Sequence, residues 1–242
     1  AFARAFPAPK RLQFLISFDG LAPEHDANRG KDVTFATAVE SARRLSALGV
    51  KVAANHTVIN ARSMADHEGL QAELGKHGVL VQSVLAYADS SMYTIGLRGK
   101  KADHLIVPRG YPLHPSLEGA DTVGFVEREL ERTHRTPLPE RIGKRYYLRG
   151  LLARLKHEEA PRPRPRCVAL RSHLRLLPDG RVPVCQFNTE TVGNLATQTF
   201  DEVWHGAQAT GSRAWVDACP GCWAECEVMP SAVYTADPAL LG

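Results

Sequence analysis

The sequence predicts an α/β protein that ends in a small, separately built α+β unit. Two observations carry that prediction. Over residues 12–87, apolar runs of strand length alternate with segments of helical periodicity, the pattern of a parallel sheet with crossover helices. Downstream, all five cysteines of the chain fall between Cys167 and Cys226, and none precedes them. A chain of 242 residues, 44% of them hydrophobic, is long enough to bury one large core or two smaller ones.

The first strand is the run Leu12 to Phe18, whose nearly continuous apolar character predicts a strand buried on both faces, broken by Asp19-Gly20. A polar loop through His25, Asp26, Arg29 and Gly30 then leads to a helix with Phe35, Ala38, Val39, Ala42, Leu45 and Leu48 on one face, stopped by Gly49. Val50 to Ile59 reads as the second strand, and Ser63 caps a helix carrying Met64, Leu70 and Leu74. Gly78 stops that helix before a third strand, Val79 to Tyr87. Ligands of parallel sheets sit at the carboxyl ends of the strands, which here carry Ser17 and Asp19, Asn55 and Thr57, and Ala86 and Tyr87.

From Ala88 to Pro115 glycines and prolines predict an irregular excursion over the sheet's mouth, with Tyr93, His104 and Tyr111 as residues placed to touch a substrate or simply to pin the loop. Helical text resumes at Thr122 to Arg132 and at Ile142 to His157. There Leu148, Leu151, Leu152 and Leu155 form a packing stripe opposite a solvated basic face of Lys144, Arg145, Arg149 and Arg154. A Pro/Arg linker at 161–166 delivers the chain to Cys167.

Composition excludes several classes. With 30 basic and 26 acidic residues the balance is too even to argue for nucleic acid. No apolar stretch approaches the roughly 18 residues a membrane helix needs, and the first residues lack the apolar core of a signal peptide, so a reducing cytoplasm is expected. An odd number of clustered cysteines there speaks for metal ligands rather than disulfides. The chain opens on Ala1, not Met, just before a strand, and is expected to be a fragment or processed piece.

In the cysteine region, Leu174 and Leu176 alternate with Arg175, Pro178-Asp179-Gly180-Arg181 supplies a turn, and Val182 and Val184 restart a strand: a β-hairpin that brings Cys185 back toward Cys167. Gly180 is expected to take the positive φ of that turn. Val192-Gly193-Asn194-Leu195 leads to a helix beginning near Thr199, with Phe200, Val203 and Trp204 on the face that covers the cysteines. Cys219-Pro220-Gly221-Cys222 and Cys226 form a turn-rich knuckle. Four thiolates so arranged can close a tetrahedral zinc site or hold a cubane iron–sulfur cluster, and spacing alone leaves both open.

The pattern Cys167-x12-Gly180-x4-Cys185, a gap, and Cys219-x2-Cys222-x3-Cys226, with Val192 to Leu195 and Phe200 to Trp204 between, resembles the SPASM or shorter "twitch" auxiliary-cluster domain of radical S-adenosylmethionine enzymes. Upstream, Ser17-Phe18-Asp19-Gly20, His25-Asp26, Arg29-Gly30, Gly49-Val50 and Thr57-Val58 look like the second half of that family's partial (β/α)6 TIM-type barrel. The resemblance spans about residues 12–87 and 167–229. It implies a barrel portion over 1–118, a helical connector over 119–166 and a SPASM/twitch domain over 167–242. It also implies one auxiliary [4Fe–4S] cluster on Cys167, Cys185, Cys219 and Cys222, with Cys226 a fifth candidate that replaces one of them.

For S-adenosylmethionine the resemblance points to Ser17 and Arg29, and to Asp19, Asn55 and Thr57 beside them. It further implies hydrogen-atom abstraction from a substrate, a peptide first and a small molecule or carbohydrate next, with a flavodoxin or ferredoxin as electron donor. The rival is a non-enzymatic zinc module on an α/β scaffold. Three departures matter. The Cys-x3-Cys-x2-Cys loop of the catalytic cluster is not in this sequence and is expected upstream of Ala1. Five cysteines suit one auxiliary cluster, not two. Where sulfatase-maturing relatives carry an Asp after the second cysteine, this chain has Gln186, so that substrate does not carry over and the catalytic base is unassigned.

Overall fold

The computed structural model describes residues 8–88, 111, 113–156, 165–188, 190–219 and 222–240. Tyr93 and His104, most of the Pro/Arg run, and Pro220 with Gly221 lie outside the described residues. The chain divides into two compact units, Ala1–Ala86 with Leu113–Asp121, and Tyr87–Pro112 with Thr122–Gly242.

The first unit runs β1 (Gln13–Phe18), α1 (Ala22–Arg29), α2 (Thr34–Ala47), β2 (Lys51–Val58), α3 (Ala61–Ala65), α4 (His67–Gly75) and β3 (Leu80–Leu85). The strands are parallel in the order β1-β2-β3. Gly49 and Gly78 take positive φ where the helices hand over to strands, the conformation a glycine adopts without penalty. Phe18, Ala42, Ala54, Leu70, Leu74 and Val79 form the core between helices and sheet. His56 of β2 stacks on His67 of α4 inside the unit, their Nδ1 atoms 2.8 Å apart, so one ring donates and the other accepts.

Three expectations change here. β1 is not buried on both faces: exposure alternates along it, and Leu15 is 53% exposed, as is Leu80 of β3 at 65%. Its apolar run concealed a period of two, because both faces carry apolar side chains and only one meets helices within this unit. The segment after Gly20 is a helix, α1, rather than a loop. Pro23 stands in its first turn and Gly30 closes it at φ 66, but its polar composition leaves no hydrophobic period to read. The cap of α3 is Asn60, whose side chain accepts from the Ser63 amide, while the Ser63 hydroxyl returns to the Asn60 amide: Ser63 is the third residue of a capping box, not its cap.

The second unit holds α5 (Thr122–Arg132), α6 (Leu138–Leu155), β4 (Arg181–Pro183), β5 (Thr191–Asn194), α7 (Phe200–His205), α8 (Ala207–Ala218) and α9 (Glu225–Tyr234). Helix α6 buries more than the predicted leucine stripe, since Tyr146 and Tyr147 are as buried as Leu148 and Leu151. Its basic side chains are also not simply solvated. Arg154 lies over the Trp223 ring at 3.9 Å, Arg145 donates to the Thr133 hydroxyl, and Lys144 faces the buried Glu129 at 3.8 Å. The predicted hairpin re-pairs: 174–177 is not a strand, and β4 runs antiparallel to β5 instead. Gly180 does take φ 85 in the turn, and the turn closes against Leu195, whose amide donates to the Gly180 carbonyl.

Candidate metal centre

Each cysteine reaches the site on a different local device. Cys167 sits in the segment that pins itself to α9 through the Val168 amide and the Ser231 hydroxyl. Cys185 follows β4 in a tight bend, its amide donating to the Asn188 carbonyl and its sulfur accepting from the Asn188 amide at 3.3 Å. The Phe187 amide also points at that sulfur. Amides aimed at a sulfur favour negative charge on it, the usual way a protein tunes a thiolate ligand. Cys219 ends α8. Cys222 is fixed by its neighbour: Trp223 is fully buried, stacks on Tyr146 and donates from Nε1 to the Tyr147 carbonyl at 2.8 Å. The ring lies so close to Gly150 that a Cβ there would meet it at 1.8 Å.

Cys167, Cys185, Cys219 and Cys222 line one cavity. Ala169, Phe187, Trp215 and Val216 give it apolar walls, and Glu227 is its one charged lining side chain among the described residues. None of the five cysteines is in a disulfide. No three His, Cys, Asp or Glu side chains among the described residues group tightly enough to hold a single metal ion. Burial pushes the Cys185 thiol up to about 12, with Glu227 adding to the shift and the two amides opposing it. A metal centre taken up here must displace protons from its ligands.

Cys226 stands apart. It lies in the first turn of α9, is not among the residues lining the cavity, and donates from Sγ to the Gln186 side-chain oxygen at 2.7 Å. Burial raises its thiol to about 11, and Arg175 beside it works in the opposite direction. Near it, the Tyr87 and Tyr111 rings pack 5.1 Å apart, and burial raises both phenols.

The four-thiol set, the dry wall and the amides on Cys185 fit an iron–sulfur cluster. So does the side-chain nitrogen of Asn188, a buried donor without an acceptor among the described residues, on the bend that carries Cys185. Helix α7, predicted to cover the cysteines, contributes Val203 to the surrounding core, while Phe200 is half exposed. The cavity wall comes instead from α8, through Trp215 and Val216. Helices α8 and α9 went unpredicted. The residues 207–218 hold only a sparse apolar pattern, and Pro230 inside 225–234 argues against a helix. Glu227, reached through His173 and Arg175, was also missed: nothing in its spacing ties it to the cysteines.

In the first unit the predicted cofactor residues divide. Ser17 lies opposite Asn55 in register, with Thr57 two residues on, so the three share the sheet face away from the Phe18 core. Asp19 and Arg29 meet each other instead. Arg29 places Nε at 2.6 Å and Nη2 at 3.0 Å from the buried Asp19 carboxylate, which also accepts from Asn28 at 2.7 Å. That fork anchors the end of α1 to the end of β1.

Residues 167–226 match the family model SPASM, an iron-sulfur cluster-binding domain. No curated protein and no solved structure matches the chain. No helix among the described residues is long and apolar enough to cross a membrane.

Proposed function

We propose that this chain carries one auxiliary [4Fe–4S] cluster, on Cys167, Cys185, Cys219 and Cys222, within a radical S-adenosylmethionine enzyme. The observation that carries the reading is the convergence of those four cysteines on one cavity inside the SPASM-matching residues. A cubane presents four irons, each needing one thiolate, around a volume far larger than a single zinc ion. Cys226, turned toward Gln186, is the reserve ligand in this reading. When bound, the cluster would supply one-electron chemistry, and the chain's own residues hold it and keep water out.

The α/β unit is proposed as part of the partial barrel that binds S-adenosylmethionine, with Ser17, Asn55 and Thr57 on the binding face and Asp19–Arg29 shaping its edge. The catalytic cluster's three-cysteine loop is not within these 242 residues, so the deoxyadenosyl radical is assigned to the intact enzyme and not to this chain alone. A peptide is the leading substrate class, with a small molecule or carbohydrate second, and a flavodoxin or ferredoxin supplies electrons in the cytoplasm. These assignments rest on family likeness.

Anaerobic reconstitution with iron and sulfide tests the proposal. The expected product is brown, with broad visible absorbance and about four irons per chain. A colourless chain holding one zinc overturns it in favour of a structural four-thiolate module.

A further inference from the structure

We infer that Glu227, with Arg175 and His173, sets the electron affinity of the four-cysteine centre as a charged wall and not as a ligand; this rests on reading that cavity as a cluster site. Glu227 is 2% exposed and lines the cavity with the cysteines. Its two oxygens are already engaged. Oε1 accepts from Arg175 Nε at 3.0 Å and Nη2 at 2.9 Å, and Oε2 lies 3.2 Å from His173 Nε2. A carboxylate so held cannot turn to a metal without abandoning a charge-assisted fork in a dry site.

Glu227 also lies in the first turn of α9, where the amide dipoles favour negative charge. Arg175 reaches further, to the Cys226 sulfur. The wall of the centre thus carries one anion, Glu227, and the cation bonded to it, Arg175, stands next to that wall and not in it.

With four thiolates a [4Fe–4S] assembly carries charge −2 when oxidised and −3 after taking one electron. No bond to the protein forms or breaks in that step, and in a titration the electron comes from a low-potential mediator. A fixed anion in a wall shielded from water opposes the added charge, and a fixed cation favours it. The two partners therefore push the midpoint potential in opposite directions.

Mediated reductive titration of the reconstituted full chain, followed by the electron paramagnetic resonance of the reduced cluster, reads this directly. Glu227→Gln is expected to raise the reduced-to-oxidised ratio at a given potential about tenfold, about 59 mV for one electron. Arg175→Gln is expected to lower it by a similar factor. Glu227→Asp keeps the charge and is expected to stay close to the wild type. Shifts in the same direction, no shift in a variant that loads fully, or an Asp variant that moves as far as Gln each overturn the inference. If Glu227→Gln fails to load, the sign of the Arg175→Gln shift decides alone. A wild-type chain that takes up zinc and no iron overturns the cluster reading itself, and this inference with it.

Discussion

The two places where polar and ligating residues were expected behave in opposite ways. In the α/β unit, Asp19 and Arg29 are adjacent along a strand-to-helix step and satisfy each other. In the cysteine region, four cysteines from segments up to fifty-five residues apart, Cys167 to Cys222, line a common space. A local pair is a finished interaction. Four cysteines around one cavity, three of them buried, leave room for an occupant, and at Cys185 burial disfavours the charged form while the Asn188 amide favours it.

The largest effect that tests this contrast is loss of a cavity cysteine. Cys185→Ser is expected to drop iron from about four per chain to near zero, whereas Cys226→Ser should retain most of it, both read by iron analysis and visible absorbance. Equal losses from the two variants would place Cys226 among the ligands and dissolve the distinction drawn from the cavity.

Next in size is Gly150→Ala. Alanine favours a helix interior by about 1 kcal/mol over glycine, yet a Cβ here would meet the rigid Trp223 ring at 1.8 Å. Overpacking wins: a net loss of about 3 kcal/mol is expected in urea unfolding, together with weaker cluster retention because Cys222 is Trp223's neighbour. Unchanged stability would show that Trp223 does not anchor the knuckle.

Gly180→Ala should cost about 2 kcal/mol by the same measurement. The new methyl must adopt φ 85 and meets Asn194 Oδ1 at 2.4 Å, across the turn that closes against β5.

Smaller still is Arg29→Ala, about 1 kcal/mol. The guanidinium is 41% exposed and so partly screened, and Asn28 still serves the buried carboxylate it leaves behind. Dependence of this loss on salt would confirm an exposed pair, and full independence would argue against it.

A pH effect, outside this ranking, concerns the metal-free protein. Burial pushes the Cys185 thiol up to about 12 in the fold, against 9.0 for an ordinary thiol. The unfolded chain therefore releases that proton first, and stability present below pH 9 is lost as pH rises from about 9 toward 12. Chelator-treated protein should show this in its melting temperature, and Cys185→Ser should shrink it, leaving the part that Cys226 contributes between about 9 and 11.

The parallel sheet, its three strands and the hand-over glycines were legible because hydrophobic period and breaker residues are local. Thiol spacing, also written in the chain, picked out the four cysteines that line one cavity. What escaped was decided at a distance. The turn at Gly180 does join Leu177 to Arg181, but the strand pairing goes no further along 174–176, and β4 pairs with Thr191–Asn194 instead, with Leu195 bonded to Gly180. Helix α1 hid behind polar residues, and α9 behind Pro230. Gly150 reads as a weak spot in a helix until Trp223 is seen to fill the place of its missing side chain. Glu227 looked like any surface acid.

The same placement of Trp223 gives the protein an optical reporter of its own. The chain has three tryptophans, at 204, 215 and 223. Trp215 lines the cavity, and Trp223 follows a cysteine that does. A cluster's broad absorption overlaps indole emission, so filling the centre should darken two of the three rings while leaving the helices in place. Intrinsic fluorescence then follows cluster assembly and loss in real time, without a label.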